Sequence, residues 1–260
     1  MKKNIGKIVA ELLVIQTLAI FIIYKYFNTD TDVFTFFLIY TVLWHGLLLL
    51  FLLLYKGEFV NIYTNAPVDT INTANKITLC RISSVPLVVF LLKNHRISGI
   101  KIVLVIVLVF VFLTDLFDGI IARKCRQETG IGRMLDSMSD YSLLALVSIV
   151  YFQLGILPAW FFVLILGRLL FQTVGMTFFM LLKFPAEVKS TKGGKITVFI
   201  TMSLYTFKLL YFFIPHLNGF NNVFKWSDYI CGVIIFIFLF EKIHIFYNHY
   251  IEYKKVKNSL

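Results

Sequence analysis

Four aspartates in a very apolar chain are the residues best suited to carry chemistry. Asp115 and Asp118 are three positions apart, and Asp136 and Asp140 are four positions apart. On helices, both spacings put the two carboxylates of a pair on one face. A set of oxygen-only ligands suits Mg²⁺, Mn²⁺ or Ca²⁺ better than zinc. The spacing therefore predicts a site for divalent cations.

Apolar runs flank these carboxylates on both sides. We therefore place Asp115 and Asp118 at the end of one membrane helix, and Asp136 and Asp140 at the start of the next. A short basic loop would bring the four anions together near the membrane surface, where they repel one another unless cations lie between them. Because a charge inside a membrane segment costs at least about 2.5–3.5 kcal/mol on insertion scales, four at these spacings indicate a function.

The composition is that of an integral membrane protein. The 260 residues are 59% hydrophobic and 15% charged, whereas a soluble domain is about half apolar and about a quarter charged. The net charge of +11 comes from basic residues at the ends of apolar runs. That distribution is typical of membrane topology and anionic lipid, and not of a nucleic-acid partner. The three cysteines are too scattered to indicate a disulfide framework or a zinc site.

Eight segments are long enough, or nearly so, to cross a bilayer core, which needs roughly 20 helical residues. The predicted spans are 8–27, 33–55, 77–92, 100–118, 136–154, 157–182, 196–214 and 227–250. The predicted fold class is an all-α integral membrane protein. Lys and Arg are most frequent at one set of helix ends, so the positive-inside rule puts both termini and the aspartates on the cytoplasmic side. The loop 93–101, which is also basic, is the exception.

The only long connection, residues 56–76, divides the chain into two parts. A two-helix N-terminal extension covers residues 1–66, and a six-helix core covers residues 67–260. The positive charge of the connection predicts a short helix lying along the membrane interface.

The aspartates belong to a longer pattern that resembles the signature of the CDP-alcohol phosphotransferase family. Its fixed positions are Asp115, Asp118, Gly119, Ala122, Arg123, Gly132, Asp136 and Asp140. The resemblance extends from about residue 77 onward and implies the family's six-helix core, an active site at the cytoplasmic face and a homodimer.

The resemblance also implies roles for these residues. The four aspartates would bind two divalent cations, Mg²⁺ or Mn²⁺, that hold the diphosphate of a CDP-linked donor. Asp140 would act as the general base for the acceptor hydroxyl, and CMP would leave. Gly119, Ala122 and Gly132 would belong to the binding site, where small residues let the backbone approach the nucleotide. Arg123 offers a planar fork for a phosphate or a carboxylate.

Two further stretches resemble the phosphatidylglycerophosphate synthase and cardiolipin synthase branch of the family. The first runs from Asn75 to Pro86 and implies that Asn75, Thr78 and Arg81 lie on the nucleotide side. The second combines Arg168, about eleven residues into an apolar segment, with the 189–197 stretch that contains Lys195. Arg168 and Lys195 together could bind the phosphate of a phosphorylated alcohol. The other interpretation is that the lysines of this stretch are simply a positive-inside loop.

The predicted function is transfer of a phosphatidyl group from CDP-diacylglycerol to glycerol 3-phosphate, giving phosphatidylglycerophosphate and CMP. Alternatives with the same chemistry use inositol phosphate, choline, ethanolamine, serine or phosphatidylglycerol as acceptor, or a CDP-choline or CDP-ethanolamine donor. A non-catalytic transporter or scaffold that binds ions is an alternative of another class. A transport pathway would place ionisable groups near the midplane of several helices, whereas these gather at one face. The Lys-, Phe- and Ile-rich composition favours a bacterial plasma membrane.

Overall fold

The computed structural model describes residues 2–181, 192–213 and 221–258, and within these ranges it is built from α-helices. They are α1 Lys2–Phe27, α2 Thr31–Leu54, α3 Thr73–Ser83, α4 Val85–Lys93, α5 Ile100–Lys124, α6 Gly130–Gln153, α7 Ala159–Leu181, α8 Lys192–Phe213 and α9 Asn221–Asn258. Across the described residues no strand forms, and two isolated bridges are the only β-type pairing. The predicted all-α fold is confirmed.

Every predicted span coincides with one helix, except that the third corresponds to the pair α3 and α4. Five stretches of the described chain are long and apolar enough to cross a membrane: Lys3–Phe27, Thr31–Leu54, Thr73–Lys93, Gly130–Gln153 and Val223–Lys255. The protein is therefore an integral membrane protein. Helices α5 and α6 extend by about one and a half turns beyond the predicted ends, because hydropathy marks only the lipid-facing part of a helix that continues into polar sequence.

The chain forms two compact units, residues 1–146 and 147–260. The first unit contains α1 to α5 and most of α6. Its apolar core joins both N-terminal helices to α3 and α6, through Ile5, Val9, Leu12, Leu48, Leu52, Phe59, Ile71, Leu79, Ile82, Ile131 and Leu135. The N-terminal helices are thus packed directly on α3 and α6, which carry Asn75, Arg81, Asp136 and Asp140.

The connection between α2 and α3 corrects one expectation. A single 3₁₀ turn, Lys56–Glu58, replaces the predicted interfacial helix. The chain turns back at Asn65, whose φ is 53°, and Pro67 has no N–H to continue a helix. The backbone N–H of Asn61 donates instead to Ala66 at 2.9 Å, and that of Val68 to Phe59 at 2.7 Å. The segment is a compact hairpin-like loop.

The second unit contains a buried polar network among α6, α8 and α9. The Lys208 ammonium donates to an Asp228 carboxylate oxygen at 2.8 Å and to the Ile156 carbonyl at 3.1 Å. The Tyr205 hydroxyl is hydrogen-bonded to the Ser148 hydroxyl. A buried charge in a membrane segment requires such a counter-charge, so this network fixes the facing ends of α8 and α9.

Candidate functional site

A buried arginine organises the site in the first unit. Arg81 lies on α3 with only 2% of its surface exposed. Its Nη2 donates to Asp136 Oδ1 at 2.8 Å, and its Nη1 lies 3.8 Å from Asp140 Oδ1. The predicted i, i+4 pair on α6 therefore shares one face, as expected, and this face meets the guanidinium. Asp136 is more than half exposed, whereas Asp140 is largely covered.

Polar side chains connect the start of α3 to the start of α6 by hydrogen bonds. The Asn75 amide donates to Thr129 Oγ1 at 2.9 Å, and the backbone N–H of Gly132 donates to the same oxygen at 3.0 Å. A Cβ at Gly132 would lie only 2.5 Å from Asn75 Oδ1. The glycine of the motif is thus explained by close packing against Asn75. Thr78 is buried one turn further along α3 and donates its hydroxyl to the Ala74 carbonyl.

The loop between α5 and α6 is held by the hairpin-like loop that precedes α3. The Asn61 amide donates to the Arg126 carbonyl at 2.9 Å, and the Asn72 amide donates to the Gln127 carbonyl at 2.7 Å. The carboxamide oxygen of Asn72 also caps α3 by accepting the N–H of Asn75. One asparagine therefore fixes both the start of α3 and the turn that leads to the aspartates of α6.

Asn61, Asn72 and Thr129 also build the site, although none of them belongs to a motif identified in the sequence. Asn72 could have been identified as the N-cap of α3, because Asn at this position commonly accepts a backbone N–H of the first turn. No local signal marks Thr129 or Asn61, since their roles depend on contacts between segments distant in the chain.

The remaining motif residues lie on α5. Asp115, Asp118, Gly119 and Arg123 fall within the last three turns of this helix, as predicted, but their side chains lie outside the described part of the structure. Ala122 is partly buried. Among the described side chains, no group of three His, Cys, Asp or Glu residues could hold a metal ion. The predicted four-aspartate site therefore stays a prediction.

The second unit contains the residues predicted to bind the acceptor. Arg168 on α7 is 5% exposed, and Lys195 on α8 is exposed. Lys242 of α9, which no motif indicated, is a further buried cation of this unit, with 4% of its surface exposed. Its signal was present, because Lys242 interrupts an apolar run within a predicted membrane span. The second unit therefore contains two buried basic side chains, Arg168 and Lys242.

The family model described as CDP-alcohol phosphatidyltransferase matches residues 71–238, which is well over half of the chain. The chain belongs to this family. The match contains every fixed motif position, Asn75, Arg81 and Arg168, and it begins just after the N-terminal helices. The chain is therefore a CDP-alcohol phosphatidyltransferase by class, as the sequence predicted.

Individual members of the CDP-alcohol phosphatidyltransferase family are similar over parts of the chain. A CDP-diacylglycerol–glycerol-3-phosphate 3-phosphatidyltransferase of Aquifex aeolicus is 32% identical over 142 residues, which cover 54% of this chain and 76% of that protein. A probable phosphatidylglycerophosphate synthase of Mycobacterium tuberculosis is 34% identical over 135 residues, covering 50% and 61%. A putative cardiolipin synthase of Mycobacterium bovis is 32% identical over 94 residues, covering 36% and 44%.

The packing of Gly132 yields a test of the site's geometry in this phosphatidyltransferase. Gly132→Ala should lower stability by about 1–3 kcal/mol through overpacking, and transferase activity by about tenfold or more, because Asn75 must move. The measurements are the unfolding temperature in detergent and the rate of CMP release. The matched control is Gly6→Ala, since a Cβ at Gly6 meets nothing within 4 Å. Equal behaviour of the two variants would contradict the close packing.

Proposed function

We propose that this enzyme transfers the phosphatidyl group of CDP-diacylglycerol to glycerol 3-phosphate and releases CMP. The observation that carries the proposal is the Arg81–Asp136–Asp140 cluster, which lies inside the family match. The acceptor is taken from the activities for which the Aquifex and Mycobacterium tuberculosis relatives are named. The product would be phosphatidylglycerophosphate, a precursor in phospholipid synthesis.

Asp140 is assigned as the general base. Its carboxylate would accept the proton of the acceptor hydroxyl as the oxygen attacks the phosphorus on the lipid side of the diphosphate. The bond from this phosphorus to the bridging oxygen breaks, and CMP leaves with the electron pair. Arg81 supports this role because its guanidinium lies against both Asp140 and Asp136. It holds the two carboxylates on one side of α6.

The residues of the cluster fit divalent cations by their chemistry. Asp136 and Asp140 present oxygen donors on one helix face, and Asp136 is accessible. We propose that they bind two cations, Mg²⁺ or Mn²⁺, together with Asp115 and Asp118 of the neighbouring motif half. When bound, such cations neutralise charge on the phosphates of the donor. The carboxylates of the chain position these charges, and Arg81 keeps the α6 pair in place.

The nucleotide side is assigned to residues around the α5–α6 turn. Asn75, Thr78 and Arg81 belong to α3, and Gly119, Ala122 and Arg123 belong to α5. The contact of Asn75 with Thr129 and Gly132 supports a rigid wall here, because each polar atom named in it has a partner. We propose that these side chains contact the CDP moiety of the donor directly.

The acceptor phosphate is assigned to Arg168 with Lys195, and the structure adds Lys242 as a further candidate. Two observations support the assignment: Arg168 and Lys242 place two basic side chains within the second unit, and a guanidinium offers a planar fork of donors that matches a phosphate. The second candidate acceptor is phosphatidylglycerol, which the similarity to a putative cardiolipin synthase favours.

Two contacts in the first unit support the predicted topology. The ring of Phe27, at the end of α1, lies against Gly99, at the start of α5, so the α1–α2 and α4–α5 turns share one face. Asn61 contacts the α5–α6 loop from the connection after α2, so these two segments share the other face. The second face carries Lys56, Lys124, Arg126 and Arg133.

We assign that basic face to the cytoplasm by the positive-inside rule. The active site and both termini would then be cytoplasmic, in a bacterial plasma membrane. The homodimer and the division into an extension over 1–66 and a core over 67–260 are also part of the proposal, and the start of the family match at residue 71 supports that division.

The acceptor assignment is tested by CMP release from CDP-diacylglycerol with purified protein. Glycerol 3-phosphate with Mg²⁺ or Mn²⁺ should give the highest rate. Removing the cations with a chelator should abolish the reaction, because the carboxylates and the diphosphate are all anionic and repel one another without cations between them. Phosphatidylglycerol, inositol phosphate, serine, choline and ethanolamine form the comparison panel. A preference for any of these acceptors would contradict the assignment, and inactivity with every acceptor and donor would contradict the reaction.

The base is tested by Asp140→Asn. CMP release should fall by about 10²–10⁴-fold, the usual contribution of a positioned general base, while the unfolding temperature stays close to that of the unaltered protein. Asp69→Asn is the matched control, because Asp69 is exposed in the loop before α3. Undiminished CMP production by the Asp140 variant would remove this residue from its role.

The phosphate site is tested by Arg168→Met. The KM for glycerol 3-phosphate should rise about tenfold or more, since a hydrogen bond to a charged group is worth about 1.5–3 kcal/mol. The KM for CDP-diacylglycerol should change less than twofold. Arg96→Met, at an exposed position of the α4–α5 turn, should change neither value. A uniform loss of kcat without a change in the acceptor KM would contradict a role in acceptor binding.

A further inference from the structure

The helix that carries Arg81 is interrupted just beyond it. α3 ends at Ser83 and α4 begins at Val85, with Pro86 in its first turn. Proline has no N–H, so the bond that residue 86 would donate to the Ile82 carbonyl cannot form. The backbone N–H of Ser84, only two residues on and shared with the carbonyls of Cys80 and Arg81, is the donor left to this carbonyl within α3 and its cap, so in a membrane span a neighbouring helix must supply a better-placed one. Leu79 and Ile82, on either side of Arg81, are fully buried.

The missing donor comes from the N-terminal extension. The indole Nε1–H of Trp44, on α2, donates to the Ile82 carbonyl at 2.9 Å. Trp44 lies outside the residues that match the family model. The interruption in a helix of the family core is therefore completed by a side chain from outside the matched region.

The next residue of α2 makes a second contact at the same place. His45 Nδ1 lies 2.8 Å from the Thr41 carbonyl, and His45 Nε2 lies 2.7 Å from Ser83 Oγ. Because a carbonyl only accepts, Nδ1 carries the proton and Nε2 accepts the Ser83 hydroxyl. His45, Thr41 and Ser83 are all nearly or fully buried, so this arrangement has little freedom to change.

These two contacts act on the residues that directly follow Arg81. They fix Ile82 and Ser83, and the guanidinium of Arg81 reaches from the same turn to Asp136 and Asp140. A shift of this turn would move the guanidinium relative to both carboxylates. Leu48 and Leu52, one and two turns beyond Trp44 on α2, belong to the same buried core as Leu79, so the pairing of α2 with α3 is also supported by packing.

We propose that Trp44 and His45 are positioning residues, through which the N-terminal extension sets the orientation of Arg81 toward the aspartates of α6. The two N-terminal helices then form part of the catalytic unit and are more than a membrane anchor. The inference rests on the proposed function in one respect: its test measures transferase turnover, together with the unfolding temperature.

The test is a double-substitution cycle on the full-length protein. Trp44→Phe removes the indole donor and keeps an aromatic ring. Pro86→Ala restores a backbone N–H that can bond to Ile82, so it should make the indole donor dispensable. The four proteins of the cycle are compared in kcat, in KM for both substrates and in unfolding temperature. Trp226→Phe, at an exposed position of α9, is the matched control.

We expect Trp44→Phe alone to lower kcat about three- to tenfold, the range of one hydrogen bond, with both KM values changed less than twofold. Added to Pro86→Ala, the same substitution should change kcat less than twofold. A purely structural contact would lower the unfolding temperature without changing kcat of the folded enzyme. An unchanged kcat for Trp44→Phe, or a loss that Pro86→Ala does not reverse, would overturn the proposal.

Three further outcomes keep the test decisive. If Trp44→Phe does not fold, recovery of folded, active protein in the double variant supports the proposal, and failure of recovery overturns it. If the unaltered enzyme is active only with an acceptor other than glycerol 3-phosphate, the proposed acceptor is wrong. The double-substitution cycle is then measured with the acceptor that is used, and its outcome still decides the role of Trp44. If no acceptor gives turnover, the unfolding temperatures are used, and additivity of the two substitutions overturns the proposal.

Discussion

The burial of one guanidinium among apolar helices is the constraint on which the first unit depends. Arg81 is almost completely removed from solvent, and a charge in such a place is stable only with compensating anions at close range. Asp136 and Asp140 provide them from one face of α6. The positions of α3 and α6 relative to each other follow from this charge balance, and so does the convergence of the two carboxylates.

Polar groups and small residues then fix how closely the two helices approach. Asn72 caps α3 and also holds the carbonyl of Gln127 in the loop before α6. Gly132 leaves the space that Asn75 occupies. The hydrogen bonds from Asn72 to Gln127 and from Asn75 to Thr129 join segments that are more than fifty residues apart, so the loops before α3 and before α6 form one structure. These joined loops hold the helices that carry Arg81, Asp136 and Asp140.

Hydropathy and residue spacing were sufficient to predict the helices and the helix ends that carry Asp136 and Asp140. Both signals are local, because a membrane span is defined by its own residues and an i, i+4 pair by one helix. The hairpin-like loop at 56–72 was misinterpreted as an interfacial helix because its structure depends on contacts with the α5–α6 loop. The partnership of Arg81 with the aspartates was also beyond the sequence, since no spacing rule relates residues on separate helices. Lys242 could have been noticed, because a charge within an apolar run is a local signal.

The indole of Trp44 has a consequence for the order in which the protein is built. A chain inserted from its N-terminus places α2 in the bilayer before α3 and α4 leave the ribosome. The donor for the Ile82 carbonyl is then already present in the membrane when the proline-interrupted helix arrives. Biosynthesis in this direction spares that helix a period in lipid without its indole donor, whereas a rearrangement of the gene that moved α2 to the C-terminus would create one.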